Sequence, residues 1–291
     1  MSIFIPAGLR ETASTRGEVG TGWLENLPAR VAELERAWSL TAGRAFDAGD
    51  SAWVAPVQLA DGSEAVLKIG LPDLEARHQA DALRVFDGQG AVRLLRASDD
   101  GCSLLLERCV PGTNLWSLGE KEGNAAGATI LKRLWREPPA GAPFARLSDV
   151  AHEWAESLPR EAPPAGYDAA LIARAVEMAR ELASTNTQKV LLHGDFHPGN
   201  VLSAAREPWL AIDPKPLVGD PAYDLAQWLG NRCNSVQPTS DPVAAIRKQI
   251  DAFSDLLRLD PTRVAGWAFV KSLGWDWGAR SARVLYEALG P

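Results

Sequence analysis

The stretch Leu191 to Asp213, LLHGDFHPGNVLSAAREPWLAID, gathers His193, Asp195, Asn200 and Asp213 into one short turn and the two apolar runs that follow it. Val190-Leu191-Leu192 reads as a buried strand that ends in a tight turn at Gly194, Pro198 and Gly199. Asn200-Val201-Leu202 and Trp209-Leu210-Ala211-Ile212 read as two more strands. If these last two pair as a hairpin with its tip at Arg206-Glu207, Asn200 falls opposite Asp213 at the open end. One amide and one carboxylate would then converge beside the loop that carries Asp195. Hard oxygen donors with no Cys or His cluster suit a Mg²⁺ ion that keeps some of its waters and shares phosphate oxygens.

An Asp that orients a hydroxyl, followed by an Asn and a later Asp that hold metal, is the arrangement of phosphoryl transfer. His193-Gly194-Asp195 through Asn200, then Ile212-Asp213, resembles the catalytic-loop motif of the aminoglycoside phosphotransferase superfamily. The segment WLAIDPKPLVGDPAYDLAQW, from Trp209 to Trp228, is similar to the streptomycin 6-phosphotransferase and hydroxyurea phosphotransferase branch. The likeness extends more loosely from about Ser51 to Leu273. It implies an α+β, bilobal, protein-kinase-like fold: a β-rich nucleotide-binding lobe over 1–107, a hinge over 108–112, and a mostly helical lobe over 113–291. A lone HGD carries little weight, since an Asp in a Gly-rich turn is commonly a turn residue. Four spaced matches within the IDPK context carry much more.

The sequence has 291 residues, 46% hydrophobic, enough to bury a large core in one or two domains. A formal net charge of -7 argues against a general nucleic-acid binder, which needs a basic footprint. The same charge would attract a cationic small molecule. Cys102, Cys109 and Cys233 form no metal-type pair, and their odd number fits reduced thiols in a cytoplasmic protein. No apolar run is long enough to span a bilayer, and Met1 to Gly17 lacks a secretory apolar core.

Leu27, Val31, Leu34 and Trp38 recur at helical spacing, which predicts an amphipathic helix over 27–38. Trp38-Ser39-Leu40 and Ser51 to Ile69 read as strands, the latter folded at an Asp61-Gly62 type I′ turn. That turn would set Lys68 opposite Ala55 and put Val57 and Val66 on one face. Pro56 argues for an edge or bulged strand. A strand lysine by itself is commonly a snorkelling surface residue; resemblance to the superfamily's A-V-L-K strand implies instead that Lys68 binds nucleotide phosphates, with Ala55 and Val66 over the base. Gly43 to Gly49, GRAFDAG, stands where a phosphate-covering loop would, without a recognisable phosphate-loop pattern.

Leu74 to Phe86 has helical spacing, with Asp73 as N-cap and Leu83 and Phe86 inward. The acid that holds the lysine in kinases is Glu75 here, or its slot is filled by Gln79. A solvated first-turn acid is an equal reading of Glu75. Ala91–Leu95 and Ser103–Leu106 read as strands around an Asp99-Asp100-Gly101 turn. They lead into Glu107-Arg108-Cys109-Val110-Pro111-Gly112, which resembles the superfamily's hinge and makes Glu107 and Cys109 candidates for adenine contact through backbone groups.

In the second half, helices are expected over 123–135, over 149–158 after a Ser148 cap, and over 167–184. Pro-rich connections cover 137–143 and 161–166. Pro214-Lys215-Pro216 should end ladder pairing. Asp220 then caps a helix through Trp228 with Pro221 at N1, and the resemblance implies that Asp224 braces the catalytic loop, with His193 in support. Lys215 either neutralises phosphate charge or points to solvent. Terminal helices are expected over 241–259 and 261–286, the second including Trp275, Asp276 and Trp277, an aromatic pair around one acid that suits a cationic sugar or amine.

The expectation is a small-molecule kinase that uses ATP and Mg²⁺, with Asp195 as the residue that orients the acceptor, Asn200 and Asp213 as metal ligands and Lys68 on the phosphates. The resemblance implies a streptomycin-like aminoglycoside or hydroxyurea as acceptor. Choline, homoserine and sugar kinases share the lobes, and a nucleotide-binding pseudokinase is the alternative of a different class. The few residues between Asp213 and Asp220 leave no room for a protein kinase's activation segment.

Overall fold

Alternation of apolar residues builds the first sheet. In the computed structural model, which describes residues 3–47, 49, 51–71, 78–160, 167–185, 189–235, 241–275 and 277–290, the chain divides into two compact units. The first is Met1–Gly112 with Ala204–Pro208; the second is Thr113–Ser203 with Trp209–Pro291.

The first unit opens with helices α1 (Ala7–Thr15) and α2 (Gly17–Trp38). It continues as β1 (Leu40–Ala42), β2 (Ala52–Leu59), β3 (Glu64–Gly70), α3 (Gln79–Phe86), β4 (Leu94–Ala97) and β5 (Ser103–Glu107). The strands form one antiparallel sheet in the order β1-β2-β3-β5-β4. One face is apolar: Trp53, Ala55, Val57, Ala65, Leu67, Ile69 and Leu105 pack with Leu27, Val31 and Leu34 of α2. Each such leucine, fully buried, is worth about 1.5–3 kcal/mol. The helix foreseen over 27–38 starts at Gly17, since its polar first half packs on α1 rather than showing the full apolar stripe. It ends at Ser39, left-handed with φ 53, whose N–H bonds the Glu35 carbonyl, so Trp38 is helical and not part of a strand.

The β2–β3 register departs from expectation by one residue. Val54 pairs with Lys68, Ala55 with Leu67 and Pro56 with Val66. The turn is the cause: Gly62 N–H bonds the Leu59 carbonyl, Gly62 takes φ +84, and Leu59 N–H bonds Ser63, a three-residue loop in place of a two-residue one. A one-residue slip reverses faces. Val57 and Val66 therefore lie on opposite faces, as do Ala55 and Lys68. Pro56 is not on an edge strand. Its carbonyl accepts from Gly43 N–H, so its nitrogen faces the same side, beyond Ala42, the last residue β1 pairs.

The second unit contains α4 (Glu120–Leu134), β6 (Ala145–Arg146), α5 (Leu147–Ser157), α6 (Ala169–Ser184), β7 (Val190–Leu192), β8 (Val201–Ser203), β9 (Trp209–Ala211) and β10 (Leu217–Gly219). Then come α7 (Asp224–Ser235), α8 (Pro242–Leu257), α9 (Pro261–Gly274) and α10 (Ala279–Ala288). Arg146, not Ser148, stands at the N-cap of α5. The expected final helix is two, α9 and α10, interrupted before Gly278 at φ 89. Two small sheets occupy this unit, β6-β10-β7 and β8-β9. The β8–β9 ladder stops at Ala211, before Pro214 and Pro216, and past them β10 pairs antiparallel with another strand, β7, while the Lys215 N–H between the prolines bonds the His193 carbonyl. No described helix is long and apolar enough to cross a membrane.

Candidate active site

Gly194 makes the loop after β7 possible. It sits at φ +79, and a Cβ there would lie 1.8 Å from the Lys215 carbonyl oxygen, so the two segments touch backbone to backbone. Behind this loop Asp224, 1% exposed at the start of α7, accepts from His193 N–H at 3.0 Å, Gly194 N–H at 2.7 Å and the Trp135 indole N–H at 2.9 Å. Three donors to one buried carboxylate are what an ion needs to stay buried. His193 is wholly buried between them: Nε2–H donates to the Ile212 carbonyl at 2.9 Å, and Nδ1 accepts from Asp195 N–H at 3.3 Å. Burial lowers its pKa against the opposing charges of Asp224 and Asp195, so the ring is neutral and this tautomer follows from its partners.

Asp195 emerges from this frame half-covered. Burial pushes its carboxyl up, but the ammonium groups of Lys215 and Lys271 outweigh that and hold it below the usual carboxylate range. Lys215 Nζ lies 3.5 Å from Asp195 Oδ2. The Asn200 side-chain N–H donates to the Asp195 carbonyl at 3.0 Å and reaches toward Oδ2 at 3.4 Å, so it is the amide oxygen that Asn200 presents elsewhere. Asn200 does not pair with Asp213. β8 and β9 pair as Val201 with Ala211 and Leu202 with Leu210, and Ile212 N–H bonds the Asn200 carbonyl at 2.9 Å. The five residues Ala204–Pro208 between the strands shift the register from the one a tip at Arg206-Glu207 implies. Asp213 follows at φ 59 and so still stands at the same open end of the hairpin.

An amide oxygen and a carboxylate fit a hard cation completed by water and phosphate oxygens. Among the described residues no group of three or more His, Cys, Asp or Glu stands together as a metal cluster.

Lys215 does not simply point to solvent: beside its pairing with Asp195, its Nζ lies 4.8 Å above the Trp275 ring. Lys271 Nζ stands 5.7 Å from the centre of the same ring, and Trp275 is 40% exposed. Trp277 lies against α7, where a Cβ on Gly230 would come within 2.4 Å of its ring, so it is packing as much as surface. Asp276 lies outside the described residues.

In the first unit, Lys68 is 8% exposed in the middle of β3, on the face it shares with Val54, Val66 and Leu104. Ala55 is fully buried on the opposite, helix-covered face, so it cannot share a ligand surface with Lys68. Gln79, 3% exposed, begins α3, while Glu75 and Asp73 lie outside the described residues. The Glu107 carboxylate is not open to a ligand: Arg206 grips it at 2.7 and 2.8 Å, and it also accepts from Arg93 N–H. Glu107 N–H bonds the Arg93 carbonyl. Cys109 makes no backbone hydrogen bond among the described residues, and burial pushes its thiol up to about 12, so it is inert. All three cysteines are free.

Sequence reasoning passed over Lys271, Trp116 and Arg206. Trp116, 47% exposed, lies beside Gly199. The signal for Lys271 was a charge in an otherwise apolar helical run, with Arg263 and Trp267 at four-residue spacing before it.

The model of a family of aminoglycoside/hydroxyurea antibiotic resistance kinases matches residues 37–283. Streptomycin 6-kinase of Streptomyces glaucescens is 39% identical over 270 residues, covering 89% of this chain and 86% of its own. Hydroxyurea phosphotransferase of Kitasatospora aureofaciens is 37% identical over 281 residues, covering 94% and 80%. Among solved structures, a thermostable mutant of an aminoglycoside phosphotransferase in ternary complex with ADP and hygromycin B superposes with a TM-score of 0.59 at 15% identity, over 89% of this chain and 97% of that one. That likeness shows the protein-kinase-like fold. With the family model spanning most of the chain and relatives this similar along nearly their whole length, the protein belongs to the aminoglycoside/hydroxyurea antibiotic resistance kinase family.

Proposed function

We propose that the protein transfers the γ-phosphoryl group of ATP to a hydroxyl of a streptomycin-like aminoglycoside or of hydroxyurea. One observation supports this beyond the family: an ionised carboxylate, Asp195, stands on a loop held from behind by Asp224, with the Asn200 amide and the Lys215 ammonium beside it. Asp195 accepts the acceptor's hydroxyl hydrogen and orients its oxygen for attack. Held below the usual carboxylate range, it is a weak base, so it takes the proton late, after bond formation to phosphorus has acidified the hydroxyl. Lys215, anchored on Asp195, places positive charge where the transferring group gathers negative charge.

Asn200 and Asp213 would hold Mg²⁺, which when bound neutralises phosphate charge. Lys68 takes the nucleotide phosphates, Val66 borders the base, and the Cys109 backbone offers it a donor and an acceptor. Catalysis is then chiefly positioning and charge neutralisation. With two ammonium groups beside Asp195, the part of the acceptor nearest that residue is its neutral hydroxyl-bearing portion, and any cationic groups it carries lie away from Lys215 and Lys271.

ADP release should be measured with Mg-ATP against streptomycin, other aminoglycosides, hydroxyurea, choline and simple sugars, beside an Asp195→Ala control. Stimulation by streptomycin or hydroxyurea is expected, with Asp195→Ala still binding nucleotide but turning over at least about 1,000-fold more slowly. A protein that binds no nucleotide, or an Asp195→Ala variant that keeps its turnover, overturns the proposal.

A further inference from the structure

Lys271 is 1% exposed, in a helix buried along nearly its whole length, Val264, Trp267, Ala268 and Phe269 among its covered residues. An ammonium in such a place costs several kcal/mol unless its partners repay it, and a methionine would pack there without that cost. Its Nζ–H donates to the Gly194 carbonyl at 2.8 Å and lies 4.7 Å from the centre of the Tyr223 ring. That carbonyl belongs to the peptide plane joining Gly194 to Asp195, and the N–H of the same plane is held by His193 Nδ1. Both polar ends of the plane that sets the direction of Asp195 are therefore fixed. The wider helix works in the same direction. Arg263 and Trp267, two turns and one turn earlier on the same face of α9, donate to Asp220 at 2.6 and 2.8 Å, and Asp220 caps the turn that delivers Asp224.

We infer that Lys271 is a positioning residue for phosphoryl transfer: α9 acts as a strut, and its buried ammonium fixes the Gly194–Asp195 peptide so that the Asp195 carboxylate meets the acceptor hydroxyl. This rests on the phosphotransferase reading above. The role is separable from nucleotide binding, which needs none of these contacts.

The test is steady-state turnover of Lys271→Met in the full chain, with the acceptor that stimulates the wild type. The expected kcat falls by about 10- to 100-fold while KM for ATP stays within about twofold. In an Asp195→Asn background the same substitution should change the residual rate by less than about twofold, because the residue being positioned has lost its role. Lys271→Gln keeps a donor for the carbonyl and should recover part of the rate; it carries the same comparison if Lys271→Met does not fold. Wild-type kcat in Lys271→Met, or an equal loss in both backgrounds, overturns the inference alone. A wild type with no acceptor-dependent turnover overturns the phosphotransferase reading and this inference with it.

Discussion

Lys68 and Asp195 are two charges the chain sets in covered positions, and it positions them by different means. Lys68 rides on a regular ladder, where its face follows from the count of residues in one turn. Asp195 rides on a loop with no ladder of its own, where the polar groups on either side of it are held largely by particular side chains: Asp224, His193, Asn200 and Lys271. A ladder spreads its support over many equivalent backbone bonds and tolerates side-chain change, but a slip of one residue reverses every face. A clamped loop has no such redundancy. It should fail at single atoms.

The sharpest way to break this contrast is Gly194→Ala. An added Cβ meets the Lys215 carbonyl, and the left-handed backbone is strained for any L side chain. The expected loss is about 4 kcal/mol in urea unfolding, with turnover below about 1% of wild type. Near-normal stability would show that the loop can relax and that the clamps are not rigid. Next comes Arg206→Ala in the first unit. It removes two bonds to Glu107 and leaves the Gly88 and Ala91 carbonyls without their donor. With both side chains about one-fifth exposed, 21% and 17%, a cost of about 3 kcal/mol is expected. Exposed Arg174–Glu177 should be worth under about 1 kcal/mol by the same measurement. Equal effects at the two pairs would remove the case for a structural role of Glu107.

The difference between the two regions also explains what could be read from sequence. The spacing of His193, Asp195, Asn200 and Asp213 was legible because chemistry of this kind is written in short local spacing. Asp220 with Pro221 was legible as a cap for the same reason: one side chain and one missing N–H define it. Register was not. Whether the β2–β3 loop has two residues or three depends on which residue takes positive φ, and Asp61-Gly62 suits both choices. Nor was Arg206's role, since its partners Gly88, Ala91 and Glu107 lie a hundred or so positions away in sequence. The same holds for Lys271, whose meaning depends on Gly194 being beside it.

The register itself offers a smaller, sharper test. Ala55→Leu should overpack the face against α2 and cost about 2 kcal/mol while leaving KM for ATP unchanged. Val66→Trp, on the face that carries Lys68, should raise KM for ATP with little change in unfolding. A rise in KM for ATP on Ala55→Leu, with unfolding unchanged, would restore the register in which Ala55 and Lys68 share a face.

A further test of the contrast comes from pH. Burial lowers the pKa of both His193 and His197 below the ordinary value of 6.5, against the pull of nearby carboxylates. In the unfolded chain each would take a proton at about that value, so above it neither state binds one and the neutral rings cost nothing. As pH falls below 6.5 the unfolded state binds protons that the folded state refuses, and stability is lost progressively down to the folded pKa of each ring. The slope can reach about 1.4 kcal/mol per pH unit for each histidine. Asp195 runs at a lower window: its folded pKa lies below 3.8, so its own contribution survives until the pH falls through that region. Between pH 7 and pH 5, unfolding of the second unit should therefore weaken while the Lys68 sheet, whose unit holds only His78, changes less. Hydrogen exchange resolved by segment measures both in one sample. A uniform loss across the two units would show that the histidines are not what carries the pH dependence, and that the loop's clamps titrate no differently from the surface.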